Sequence, residues 1–191
     1  IDYVMKRESV DFGGAVDWMG AAHPEVRRSA PAVHFEQPSY QGDNPIPSQN
    51  WQERALDFLA ECEAALWSDA GAQARGYLHG RGLCDETLRK WRIGYNQAEI
   101  FEALDLWGLP EETNEKGNSR RVWLPRGILI PCLDRDNLYY LKFRRPVIDP
   151  HDPKKYIKVK GSKAGLFGAA NLRGAWLGVL TEGELDCMIL D

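Results

Sequence analysis

Glu182 and Asp186 are the residues whose type and spacing best suit chemistry. They lie in Thr181-Glu182-Gly183-Glu184-Leu185-Asp186-Cys187-Met188-Ile189-Leu190-Asp191, which follows the apolar run Trp176-Leu177-Gly178-Val179-Leu180. A carboxylate at the carboxyl end of a buried strand, with glycine at the turn, stands where open α/β sheets place their ligands. The pattern predicts a strand over 176–180 and a helix that begins near Glu184. Across that turn the carboxylates of Glu182 and Asp186 would face one pocket. Oxygen donors grouped this way suit magnesium, a hard cation that keeps waters and binds phosphates. The same string also reads as a strand-to-helix turn with a solvated acidic cap, because Asp and Glu favour helix N-termini.

The second feature is the distribution of charge. Between Arg120 and Lys163 stand twelve Lys or Arg against four Asp and no Glu, a net charge of +8 in a chain whose total is −4. The remainder therefore carries −12. So basic a stretch inside an acidic chain predicts an anion-binding surface, with nucleic acid or nucleotide as leading ligands. The bland alternative is a solvated basic face. Lys142, Arg144, Arg145, Lys155 and Lys163 are its candidate phosphate contacts, Arg as a bidentate fork and Lys as a point charge. Trp123, Tyr139 and Tyr140 could stack on bases, although aromatic side chains more often belong to a core.

Composition sets the bounds. A chain of 191 residues with 43% apolar content can build one large domain or two small ones. It has no run of eighteen apolar residues, so no membrane-spanning helix is expected. The start, Ile1-Asp2-Tyr3-Val4-Met5-Lys6, has neither a signal-peptide pattern nor an initiating Met. The chain reads as a piece of something longer, in the cytoplasm. Cys62, Cys84, Cys132 and Cys187 are widely spaced, which predicts buried or half-buried free thiols and no zinc knuckle or disulfide framework.

The elements that must position these residues change period near Arg120. Short helices are expected within 1–19. Residues 21–50, with five prolines, read as a linker. Asn50 is expected to cap a helix over 51–69, whose stripe is Trp51, Ala55, Phe58, Leu59, Cys62, Ala65 and Leu66. Gly71 would end it. Helices over 72–80 and 86–91 follow, the latter capped by Asp85, then a strand over 92–95 and a weaker helical pattern over 100–107. Strands are expected over 122–125, 128–133, 138–145 and 155–160, the middle two joined as a hairpin by Asp134-Arg135-Asp136-Asn137.

The Glu182-Gly183 turn with Asp186 four residues on resembles the opening of a TOPRIM domain, the metal-binding module of bacterial primases, topoisomerases and some nucleases. The stretch from Arg75-Gly76-Tyr77-Leu78 through Arg81-Gly82-Leu83 to Trp91-Arg92-Ile93-Gly94-Tyr95 is similar to the opening of the catalytic core of bacterial replicative primases. Ile128 to Leu133, Lys142 to Arg145, Lys155-Tyr156 and Leu166-Phe167-Gly168 match the family's later steps in order. Residues 2–19 resemble the tail of the primase zinc-binding module. Departures exist: Leu138 to Phe143 stand where the family has a Gly-rich strand, and Ile157-Lys158-Val159 where it has Leu-Asn-Ser. They mark a divergent member, of phage or mobile-element kind.

The resemblance implies an α+β fold: a helical subdomain and a basic, antiparallel-rich sheet, then the first strand and helix of a TOPRIM α/β domain. It implies four parts: a zinc-module tail without its ligands (1–20), a linker (21–50), the N-terminal part of a primase core (51–175) and the start of a TOPRIM domain (176–191). The implied activity is template-dependent RNA primer synthesis on single-stranded DNA during replication, a two-metal nucleotidyl transfer. Glu182 and Asp186 would be its catalytic residues here, with Glu182 holding Mg2+ or Mn2+ together with ligands outside this chain. Zn2+ would belong only to the missing N-terminal module. Partners would be the single-stranded template and nucleoside triphosphates, with a replicative helicase left open and no membrane. The chain by itself is not expected to make primers. Two other readings stand beside this one: another TOPRIM enzyme, nuclease or topoisomerase, and a non-catalytic module that binds single-stranded DNA or a helicase.

Overall fold

Helix α1, Gln49–Trp67, forms because Trp51, Ala55, Phe58, Leu59, Cys62 and Leu66 recur at helical spacing, and all six are buried. The computed structural model describes residues 8, 9, 14, 45–146, 154–174 and 178–191. The chain divides into two units, Ile1–Gly42 and Asp43–Asp191, and the elements named below belong to the second. The short helices expected within 1–19, and most of the expected linker, lie outside the described residues.

The cap of α1 is Ser48, whose hydroxyl accepts from the Trp51 N–H at 3.4 Å. The expected cap, Asn50, instead lies in the first turn, with its Cβ only 2.7 Å from where a Cβ on Gly108 would stand. At the other end Ser68 is extended, and its hydroxyl donates to the Ala65 carbonyl at 2.8 Å. Gly71 closes a 3-10 turn, Asp69–Gly71, and is needed for close approach: a Cβ there would lie 2.1 Å from the Leu66 carbonyl oxygen. Helices α2, Ala72–Gly80, and α3, Asp85–Lys90, follow. Cys84, rather than Asp85, precedes the first turn of α3; Asp85 lies inside that turn and accepts from or donates through no cap, pairing instead with His79 at 2.7 Å.

Two antiparallel sheets follow. One has the order β1-β4-β5-β6, built from Gly94–Asn96, Gly127–Asp134, Asn137–Arg144 and Tyr156–Lys158. The other pairs β2, Ile100–Ala103, with β3, Arg121–Leu124. The helical pattern expected over 100–107 is therefore a strand followed by a 3-10 turn, Asp105–Trp107. The reason is tertiary. Glu102 points inward to the Arg54 guanidinium of α1 and accepts from Trp107 Nε1 at 2.7 Å, while Phe101 faces out. That alternation satisfies a strand and not a helix.

The four-stranded sheet buries one face against α1, and the β1–β4 part of the other against α2 and α3. Leu129, Leu141, Phe143 and Val159 join α1 and Trp107 in one core. Ile128 and Ile130 join Leu78, Leu83, Leu88 and Ile93 in a second. Close approach fixes the first packing, because a Cβ on Gly94 would lie 2.6 Å from the Cys62 Cβ. Cys62 and Cys132 are buried and Cys187 is half-buried, but Cys84 is exposed, contrary to expectation.

A terminal helix, α4, covers Glu184–Ile189 and sends Leu185 and Met188 into the second core. The strand expected over 176–180 does not form where it is described. Residues 178–181 have no strand partner, and Val179 and Leu180 are 67% and 89% exposed. Among the described residues no sheet edge pairs with them, so their apolar side chains find no core; Trp176 and Leu177 lie outside the described residues.

Candidate nucleic-acid interface

The period-2 geometry of a strand places alternate residues on one face. In β4 and β5 the facing pairs are Ile128 with Arg144, Ile130 with Lys142, and Cys132 with Tyr140. β6 extends the same rows, Lys142 facing Lys158 and Arg144 facing Tyr156. One sheet face is thus apolar on β4, where helices cover it, and basic and aromatic on β5 and β6.

The cations of this face lie over rings. Lys142 Nζ is 4.8 Å and Lys155 Nζ 5.6 Å from the Tyr156 ring centre. Lys158 Nζ stands 4.2 Å from that of Tyr140, and the Arg144 guanidinium 4.0 Å from that of Tyr77. Such contacts orient the cations without neutralising them. Arg145 points to the opposite side, 5.4 Å from the Trp123 ring, and donates to the Lys154 carbonyl at 3.2 Å. Lys163 is exposed, its backbone N–H held by the Tyr139 carbonyl at 2.8 Å. The structure therefore brings Lys142, Arg144 and Lys155 to one face, leaves Lys163 apart from their ring contacts and turns Arg145 to the other side.

Lys142 differs from the others. Its ammonium donates to both Glu184 oxygens, at 2.6 and 2.9 Å, and the Tyr140 hydroxyl donates to the same carboxylate at 3.0 Å. Burial alone would raise the Glu184 carboxyl, but the bonds from Lys142 and Tyr140 hold it below the usual carboxylate range. Burial raises the neighbouring Cys132 thiol to about 11, against a smaller opposing effect from Tyr140, so this thiol stays protonated and inert. Lys142 is therefore a cation already neutralised, in contrast to Lys155 and Lys158.

The two carboxylates expected to share a pocket do not. Glu182 is exposed and lines a cleft of about 330 Å3 with Phe167, Leu172, Thr181 and Glu184. Asp186 lies outside that cleft, one helical turn on, and accepts from Arg81 at 3.2 Å. Three acidic residues fasten α4 in different directions: Glu184 to the sheet, Asp186 to Arg81, and Asp191 to Lys90, Trp91 and Asn171. Trp91 in turn stacks on Phe167 at 4.6 Å. Among the described residues no three His, Cys, Asp or Glu side chains gather to hold a metal ion. Of the three carboxylates of this turn, Glu184 and Asp186 are each paired with a cation, and Glu182 makes no ion pair among the described residues.

Glu184 and Arg81 are the side chains that fix α4 beside this face and that sequence reasoning passed over. Glu184 was hidden by a separation of 42 residues from Lys142. The available signal was the i, i+2 spacing of Tyr140 and Lys142, which puts a hydroxyl and an ammonium on one strand face.

No protein-family model matches the chain, and no curated protein matches it. Among solved structures it is similar to the RNA polymerase domain of Mycobacterium tuberculosis primase DnaG in complex with a double-stranded DNA oligomer with an overhang. There the identity is 20%, over 61% of this chain and 40% of that one, with a TM-score of 0.44. The E. coli primase catalytic core gives 20%, 56%, 37% and 0.42 in the same order. The zinc-binding and RNA polymerase domains of Aquifex aeolicus primase give 21%, 99%, 47% and 0.49. The chain spans less than half the length of each. The likeness is partial and assigns no residue here a role. No described helix is long and apolar enough to cross a membrane.

Proposed function

We propose that this chain is the strand-holding part of a DNA primase, a larger enzyme that makes RNA primers on a single-stranded DNA template. The observation that carries the reading is the basic and aromatic face of β5 and β6. Arg144, Lys155 and Lys158 lie there over Tyr77, Tyr156 and Tyr140, with no carboxylate against any of the three among the described residues. Cations that track a phosphate backbone beside ring systems are what a weak, sequence-tolerant grip on a single strand requires. Lys163, exposed beyond β6, would extend that track. The order of motifs from Tyr77-Leu78 to Glu182-Gly183 supports the choice of primase over a nuclease or topoisomerase.

Nucleotidyl transfer would rest on Mg2+ or Mn2+, and of the Glu182–Asp186 turn Glu182 is the carboxylate left without an ion pair among the described residues to serve it. The chain's own contribution is therefore to hold the template and its nucleotides.

Fluorescence polarisation of a labelled oligo-dT tests the reading. Binding at low salt should fall by at least about tenfold in the double variant Lys155→Glu, Lys158→Glu, because two phosphate contacts become two repulsions. Unchanged binding would mean that the basic run is only a solvated face. In a full-length protein containing this chain, Glu182→Gln should abolish priming and leave strand binding intact. Near-normal priming would remove Glu182 from the chemistry.

A further inference from the structure

A small pocket lies where the N-terminal end of β4 and the C-terminal end of β5 meet α2. Gln73, Ala74, Tyr77, Tyr95, Arg126 and Arg144 line it, and its volume is about 210 Å3. Two guanidiniums enter it and, among the described residues, no carboxylate does. Arg126 donates through Nε to the Tyr95 hydroxyl at 3.1 Å, which leaves its terminal nitrogens uncommitted. The Arg144 guanidinium is laid 4.0 Å from the centre of the Tyr77 ring, and its Nε is buried with no acceptor among the described residues. Neither arginine makes an ion pair among the described residues.

Buried donors without acceptors are rare, because each forfeits the bonds it made in water. An arginine can only donate, so what completes it is an acceptor. Two convergent forks call for a ligand with several acceptor oxygens and negative charge, the description of a phosphate. The backbone is built for the convergence. A Cβ on Gly127 would stand 2.4 Å from the Arg144 carbonyl oxygen, so only glycine lets β4 approach β5 here and set Arg126 beside Arg144. The volume is below the roughly 300–1,000 Å3 of drug-sized sites, so the pocket takes one such group rather than a length of strand.

We propose that this pocket binds the phosphate of a single nucleotide, gripped by Arg126 and Arg144 with its sugar or base against Tyr77. Taking a nucleotide as the bearer of the phosphate rests on the strand-holding reading above. The phosphate could come from a free nucleoside triphosphate or from one position of a template strand.

The test uses the full chain and two probes, a fluorescent ATP analogue and labelled oligo-dT, each followed by polarisation at low salt. Arg126→Met removes one fork and keeps the aliphatic stem. Gln73→Trp, at an exposed rim position, blocks the mouth without touching either arginine or the core. Melting temperatures confirm that both variants fold. Both should weaken one probe about tenfold or more, the loss expected for a charge-assisted bond. If the ATP analogue weakens, the source is a free nucleotide; if only oligo-dT weakens, it is a strand phosphate. Either result supports the pocket. Undiminished binding of both probes by both folded variants would overturn it. A wild-type chain that binds the ATP analogue but no oligo-dT at any salt would sink the strand-holding reading and leave the pocket standing. Oligo-dT binding lost in Lys155→Glu yet unchanged in both pocket variants, with no binding of the ATP analogue, would do the reverse.

Discussion

The most consequential single contact is the one between Lys142 and Glu184, because it decides both how α4 docks and what Lys142 is free to do. Glu184 is largely buried, with its side chain 11% exposed, and its carboxyl is held below the ordinary range by Lys142 and Tyr140 against the opposing pull of burial. A carboxylate whose folded value is depressed stabilises the fold above its unfolded value, about 4.3, and loses that contribution as pH falls through the folded value. Docking of α4 should therefore hold through neutral pH and loosen only below the usual carboxylate range. Lys142→Met should reverse the sign. With the ammonium gone burial wins, and Glu184 titrates above its ordinary range. A destabilisation of about 1–3 kcal/mol is expected, the penalty for a buried polar group left without its partner. Amide exchange of Leu185 to Met188 against pH would register the change; a profile identical to wild type would mean that the hydrophobic contacts of Leu185 and Met188 suffice.

At the scale of elements, much was legible where one period governed a segment. The stripe of α1 and the β4–β5 hairpin were readable because burial on one side imposes 3.6 or 2 directly on the residue types. Ile100 to Trp107 was misread because Glu102 is an inward-facing carboxylate satisfied by Arg54 and Trp107, partners 48 and 5 residues away that no local pattern announces. Asn50 and Asp85 were plausible caps displaced by one or two residues, since capping chemistry was available at several neighbouring positions. Of the candidate site, the basic face was legible through Lys142 and Arg144 at strand spacing, whereas the separation of Glu182 from Asp186 depended on Arg81, 105 residues before Asp186. Glycines give the sharpest element-level test, because their spatial reasons differ. Gly127→Ala would drive a Cβ against the backbone oxygen of Arg144, which cannot move without breaking the β4–β5 ladder, so a loss of about 1–3 kcal/mol is expected. Gly76 lies inside α2 with nothing within 4 Å of a would-be Cβ, so Gly76→Ala should stabilise by about 0.5–1 kcal/mol. Denaturant melts of the two variants should shift in opposite directions; a shared direction would contradict the packing given for Gly127.

For the molecule as a whole, charge segregation matters more than net charge. The sequence between Arg120 and Lys163 carries +8 and the remainder −12, so a polyanion is drawn to that stretch of the chain. Strand binding by counterion release makes log K fall linearly with log salt, with a slope near −0.7 per phosphate neutralised on single strands. Three to four contacts along Arg144, Lys155, Lys158 and Lys163 predict a slope of about −2 to −3 for oligo-dT. The slope also separates cations that act on a ligand from cations that act on the fold. Lys155 is exposed and has no carboxylate partner among the described residues, so Lys155→Gln should flatten the slope by about 0.7. Lys142 already gives its charge to Glu184, so Lys142→Gln should leave the slope unchanged while lowering stability. Two lysines of the same basic stretch would then differ in a single titration. If Lys142→Gln flattened the slope as much as Lys155→Gln, the Lys142–Glu184 pair would have to open on binding, and α4 would move with it.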